Sequence, residues 1–103
     1  MTITAYRASM TERQLQEAIR DAAGRTGWKC FHVYDSRRSV PGFPDLVLLR
    51  GDRALVYELK TETGRVRPEQ RDWLEAFNTA GIPARIVRPC DLDAVLDELG
   101  EAR

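Results

Sequence analysis

Two short β-type runs, Asp45 to Leu49 and Ala54 to Lys60, stand either side of Gly51-Asp52, and they restrict the fold more than any other feature of this chain. A glycine at the first central position of a two-residue connection suits a type II′ turn, whose twist lets the flanking strands pair. The segment therefore reads as a hairpin with a single register. Arg50 pairs with Arg53, and counting outward sets Asp45 opposite Glu58. Their Cβ atoms are then about 5 Å apart. Side chains on a strand repeat with period two, so Lys60 shares a face with Glu58, while Leu55, Tyr57 and Leu59 point the other way into packing.

Two carboxylates directly opposed on a sheet repel, and a charge within Leu-Val-Tyr-Glu-Leu is costly unless something compensates it. A hard divalent cation such as Mg²⁺ or Mn²⁺, which takes oxygen ligands, is the simplest compensation. The Leu59 carbonyl, between Glu58 and Lys60, is a further candidate ligand. Two acids, an amine and a divalent ion suit phosphodiester hydrolysis. Such an ion lowers the pKa of a bound water, and the lysine orients or deprotonates that water or neutralises developing charge. The competing reading is an exposed Glu58–Lys60 salt bridge on an edge strand.

Around the hairpin the sequence predicts three helices and two further strands. Ser9-Met10-Thr11-Glu12 fits a capping box, with Ser9 as N-cap and Glu12 three residues in. Leu15, Ala18, Ile19, Ala22 and Ala23 follow at amphipathic-helix spacing, and Gly24 and Gly27 bracket the end. Trp28 to Tyr34 is aromatic and β-branched, a strand, and a polar loop with Arg37 and Arg38 leads to Pro41-Gly42-Phe43-Pro44. Pro68 suits the first turn of a second helix whose apolar face is Trp73, Leu74, Phe77 and Ala80, closed by Gly81. Ala84 to Val87 is a short strand, and Asp91 N-caps a last helix with Leu92, Val95, Leu96 and Leu99 buried. The order α-β-β-β-α-β-α indicates an α/β fold, a mixed sheet of about four strands flanked by helices.

With 103 residues the chain suits one domain, residues 1–103. Cys30 and Cys90 lie far apart and form neither a disulfide framework nor a metal knuckle, so each is expected to be a free thiol. His32, the one histidine, is expected in the core or at an edge rather than with Cys30 on zinc. Trp28, Trp73 and Phe77 are expected in the core. Met1 to Ser9 carries no signal-peptide pattern, and no apolar run approaches the roughly 20 residues of a membrane span, so a cytoplasmic location without membrane partner is expected. The formal net charge is zero, but the last helix region, 91–101, holds five acids and no base. Residues 1–89 hold fifteen bases against eleven acids. That imbalance allows an anionic partner. Arg37 and Arg38, and Arg65, Arg67 and Arg71, are the candidate phosphate contacts.

Gly42-Phe43-Pro44-Asp45, Glu58-Leu59-Lys60 and the run Thr61-Glu62-Thr63-Gly64-Arg65-Val66-Arg67-Pro68-Glu69-Gln70 together resemble the VRR-NUC branch of the PD-(D/E)xK nuclease superfamily. The resemblance extends from about Thr11 to Leu99. It implies a restriction-endonuclease-like fold, with Asp45 and Glu58 as metal ligands and Lys60 as the catalytic lysine. It implies that Gln70, on the following helix, positions water or phosphate. It implies that Glu12, on the first helix, completes the metal site directly or through water. The implied activity is Mg²⁺- or Mn²⁺-dependent cleavage of DNA, of the structure-specific kind that acts on branched substrates such as Holliday junctions, often by a homodimer. The alternatives are a non-catalytic nucleic-acid-binding module on the same fold and a protein-interaction module using the acidic last helix.

Overall fold

The computed structural model describes residues 2–33 and 40–101. In chain order these form helices α1 (Ile3–Ala8) and α2 (Glu12–Arg25), strands β1 (Lys29–His32), β2 (Leu46–Arg50) and β3 (Arg53–Leu59), helix α3 (Pro68–Thr79), strand β4 (Ala84–Val87), a 3-10 turn (Pro89–Asp91) and helix α4 (Leu92–Leu99). The sheet has four strands in the order β1-β2-β3-β4, antiparallel except for the parallel β3–β4 pair. This is the mixed α/β architecture expected, with two additions, α1 and the 3-10 turn. No helix among the described residues is long and apolar enough to cross a membrane.

The hairpin register holds. Arg50 pairs with Arg53 and Leu46 with Tyr57, and Gly51 takes φ +59 while no non-glycine among the described residues has positive φ, as a II′ turn requires. Register then divides the sheet. Leu46, Leu48, Leu55, Tyr57 and Leu59 lie on one face and pack with Leu15, Ile19, Ala22 and Ala23 of α2 and Val95 and Leu99 of α4 into a single core. Trp28 is buried at its rim, donating from Nε1 to the Leu99 carbonyl at 3.0 Å with the Arg50 and Arg53 guanidinium groups over its ring. Val56 and Glu58 lie on the opposite face with Val47 and Phe31. Helix α3 covers that face only at β3 and β4, so Phe31 and Leu49 remain 63% and 51% exposed.

Several boundaries differ from expectation for local physical reasons. Ser9 does not cap α2; it ends α1, its hydroxyl donating to the Tyr6 carbonyl. Two overlapping capping boxes compete here, and Thr11 with Gln14 is the one formed: Thr11 Oγ1 accepts from Gln14 N–H (3.1 Å) and Gln14 Oε1 accepts from Thr11 N–H (2.9 Å). Glu12 is thereby released from any capping role and stands at the first helical position. Gly24 lies inside α2, and Gly27, at φ +83, follows its end. Strand β1 is shorter than Trp28 to Tyr34, and Tyr34 lies outside the described residues. Of the α3 face, Leu74 is buried, Trp73 and Phe77 are half-buried, and Ala80 is exposed. Asp91 precedes α4, but its carboxylate caps the Arg88 N–H at 2.8 Å instead of α4 itself. Cys30 and Cys90 are both free.

Candidate active site

The β2–β3 ladder stops one pair short of the predicted Asp45–Glu58 opposition. The last pair is Leu46–Tyr57, and Asp45 sits just before β2. Its backbone carbonyl still accepts from Val33 N–H at 3.2 Å, beyond the end of β1. Its side chain turns across instead, and Oδ2 accepts from Leu59 N–H at 2.7 Å. A carboxylate thus takes the place of the missing ladder carbonyl, and β2 parts from β3 at this point. Lys60 N–H donates to the Val87 carbonyl at 3.0 Å, so the even-numbered residues of this stretch of β3 bond to β4. Leu59 therefore presents its N–H and its carbonyl to the β2 side, where β2 has ended.

Glu58 projects from the α3 face of β3 and is buried at 3% exposure. Its Oε2 accepts from Gln70 Nε2 at 3.2 Å and lies 3.9 Å from Lys60 Nζ. Its Oε1 is buried with no N–H or O–H donor against it, only the neighbouring Asp45 carboxylate with which a protonated Glu58 can share a hydrogen bond. Burial foremost, then the charge of Asp45 and a side-chain hydrogen bond with it, push the Glu58 carboxyl up to about 9; Lys60 offsets part of this and Glu12 adds to it. Glu12, solvent-facing on α2, is raised by desolvation first, with Lys60 lowering it and Asp45 raising it. The four residues therefore share one electrostatic field.

Gln70 caps its own helix and also reaches Glu58. Its Oε1 accepts from Arg67 N–H at 2.9 Å at the start of α3, which aims its Nε2 at Glu58. Helix α3 is itself seated against the loop before Asp45. Gly42, at φ +83, lies so close to the first turn of α3 that a Cβ would come within 2.6 Å of the Glu69 carbonyl group. Trp73 Nε1 donates to the Pro41 carbonyl at 3.2 Å, and Phe43 meets the Trp73 and Phe77 rings edge-on at 5.1 and 5.9 Å between centroids. One packed unit therefore fixes Asp45 from one side and Gln70 from the other.

Among the described residues no three acidic, histidine or cysteine side chains converge tightly enough to cage a metal by themselves. Glu12 is accordingly not part of a preformed three-carboxylate cage among the described residues. What the site does offer a hard cation is two adjacent carboxylates, one buried oxygen without a donor, and a backbone carbonyl facing the same gap. Those are the oxygen donors that Mg²⁺ or Mn²⁺ takes, with water completing the shell. The residues present fit such an ion.

A cleft of about 470 Å³ opens over the group, lined by Glu12, Asp45, Glu58, Lys60, Arg67 and Gln70 with the Pro41–Phe43 loop. It shares Glu12, Val33 and Asp45 with a second hollow of about 500 Å³ bordered by Arg13, Gln16, Arg20 and His32. Of the candidate phosphate contacts, Arg67 lines the cleft, beside Glu69 at 3.5 Å. Arg65 and Arg71 are exposed and line neither hollow, and Arg37 and Arg38 lie outside the described residues. Arg13, Arg20 and the neutral, buried His32, held low by burial and then by Arg20, are additions that α2 and β1 bring together. The α2 periodicity already placed Arg13, Gln16 and Arg20 off its apolar stripe, but nothing local placed them against the Asp45 loop.

A family model for the VRR-NUC domain matches residues 4–89. Among solved structures, a VRR_NUC domain protein superposes with a TM-score of 0.69 at 22% identity, over 90% of this chain and 88% of that one. The Holliday junction resolvase Hjc of Archaeoglobus fulgidus superposes with a TM-score of 0.55 at 20% identity, over 74% of this chain and 64% of its own. These likenesses establish a shared nuclease-type fold. No curated protein sequence matches the chain.

Proposed function

The chain belongs to the VRR-NUC family, and from that premise and the site geometry we propose that it is a divalent-metal-dependent endonuclease acting on DNA, with branched or otherwise structured DNA as substrate. The observation that carries the reading is the buried Glu58 carboxyl, held between Asp45, Lys60 and Gln70 with one oxygen left over. A buried carboxyl beside a second acid costs stability in the bare fold, and a bound cation would offset that cost.

In this reading Asp45, Glu58 and the Leu59 carbonyl would hold Mg²⁺ or Mn²⁺, with Glu12 beside them. The bound ion supplies an acidified water and charge neutralisation at the phosphate. The residues do the rest. Asp45 is tethered through Oδ2 to Leu59 N–H, which holds its carboxylate beside Glu58. Gln70 holds Glu58 in one rotamer through Oε2 and leaves Oε1 for the ion. Lys60, anchored at the end of β3, presents its ammonium beside Glu58 to orient the attacking water and steady the phosphate's negative charge. Arg67, with Arg13 and Arg20 further along the continuous hollow, contacts flanking phosphates, which suits an extended polyanion better than a small ester. In this reading selectivity comes from substrate shape and from pairing of two copies.

A panel of single-stranded, duplex, flap and four-way DNA incubated with Mg²⁺ or Mn²⁺ tests the reading. Metal-dependent cutting, strongest on the branched substrates and abolished by Glu58→Ala, is expected. Binding without turnover on every substrate would instead assign a non-catalytic nucleic-acid-binding module.

A further inference from the structure

The turn that follows Lys60 is clamped from the β4 side by a residue with no role so far. As β4 ends, Arg88 is half-buried, and its Nη1 donates to the carbonyls of Thr61 (2.8 Å), Gly64 (2.9 Å) and, at longer range, Glu62 (3.3 Å). Three carbonyls of one four-residue turn thus converge on one guanidinium nitrogen. The clamp is itself braced. Arg88 N–H donates to Asp91 Oδ2 at 2.8 Å, and Glu62 Oε1 accepts from Cys90 N–H at 2.6 Å, tying the turn to the chain just after Arg88. The turn's own backbone bond, Gly64 N–H to the Thr61 carbonyl, is long at 3.3 Å. The turn is also tight: a Cβ on Gly64 would meet Thr61 Oγ1 at 3.0 Å and Lys60 Cβ at 3.5 Å. Lys60 enters this turn, whereas Gln70 beyond it is held at the start of α3 by the Arg67 N–H and Glu58, so the turn's placement bears on Lys60.

We propose that Arg88 is a positioning residue of the active centre: its guanidinium, seated in the Thr61–Gly64 turn, fixes where the Lys60 ammonium stands relative to Glu58. A lysine at this position would not substitute, because its ammonium ends one bond short of the Nη1 position on which the three carbonyls converge. The effect on rate rests on the nuclease reading; the effect on Lys60 itself does not.

The chain contains two lysines, Lys29 and Lys60, so isotopically labelled lysine gives two side-chain signals by nuclear magnetic resonance, with exposed Lys29 as internal control. In the full chain the two ε-methylene protons of Lys60 are expected to be inequivalent, and in Arg88→Ala and Arg88→Lys to collapse towards the averaged Lys29 pattern. Single-turnover cleavage at saturating Mn²⁺ should fall between about tenfold and a hundredfold, the scale of a catalytic group displaced by about 1 Å. Mn²⁺ affinity and DNA affinity should stay unchanged. Lys60 signals that remain inequivalent in the variants overturn the proposal, as does a rate loss matched by an equal loss of Mn²⁺ affinity. Should Arg88→Ala not fold, Arg88→Lys carries the same readouts. If the unaltered chain cuts no substrate, the nuclease reading fails and the Lys60 signals alone decide the role of Arg88.

Discussion

Replacing Glu58 with glutamine is expected to stabilise the metal-free chain near neutral pH, although it removes a buried polar network's central acid. Glu58 is 3% exposed, and burial with the neighbouring Asp45 raises its carboxyl from 4.5 to about 9. The sign follows directly. Below the unfolded value both states carry the proton and nothing is lost. As pH rises above it, the unfolded chain gives up the proton while the folded one keeps it, so folding loses stability until the folded value is reached. At about pH 7 that interval is about 2.5 pH units, or about 3 kcal/mol at about 1.36 kcal/mol per unit. Glutamine keeps the shape and the acceptor for Gln70 Nε2 but has no proton to withhold. Protonated Glu58 makes no ion pair with Lys60 for glutamine to lose, but the amide must still fit its NH₂ where a carboxyl oxygen stood, so the net gain should be about 1–3 kcal/mol. Urea unfolding in chelator checks this at two acidities: the variant and the parent should nearly coincide at about pH 5, and the variant should lead at about pH 7.5. A variant less stable than the parent at both would refute the claim that Glu58 is electrostatically strained without a cation.

The remaining predictions concern the same few residues. Mn²⁺ binding must displace the Glu58 proton, so affinity should climb with pH up to about 9, with close to one proton released per ion at about pH 7; calorimetry in two buffers of different ionisation enthalpy reads the proton count, and a pH-independent affinity would exclude Glu58 as a ligand. Gly42→Ala places a Cβ 2.6 Å from the Glu69 backbone at φ +83 and should destabilise by about 2–3 kcal/mol in urea; an unchanged midpoint would mean that the loop is not seated on α3. Lys60→Ala should lower single-turnover cleavage at least about a hundredfold while leaving Mn²⁺ affinity intact, because the lysine neighbours the ion's ligands without being one.

Much of the frame was legible in local pattern. The II′ turn at Gly51-Asp52 fixed the β2–β3 register, and the apolar spacing of α2 and α4 fixed which faces they bury. The fine structure of the site was less legible, because it depends on where the ladder stops. Period two puts Asp45 opposite Glu58, but a carboxylate can also accept a backbone N–H, and its bond to Leu59 ends the ladder one pair early. Helix α1 escaped notice because it buries nothing. It is held by Arg7 on Asp93 at 2.9 Å, a contact across most of the chain that no window of sequence contains. Once that helix forms, Ser9 belongs to its end, which decides between the two overlapping capping boxes and frees Glu12 to face the site. Gln70 entered through family resemblance and Arg88 not at all: both act through contacts between segments brought together only by folding.

The central claim is that Asp45 and Glu58 share one bound ion beside Lys60. Anomalous diffraction from crystals containing Mn²⁺ tests it directly. One strong peak is predicted in the gap where β2 leaves β3, within about 2.0–2.6 Å of an oxygen from each carboxylate and of the Leu59 carbonyl. A peak bound by only one of the two acids, or none in that gap at saturating Mn²⁺, would contradict it.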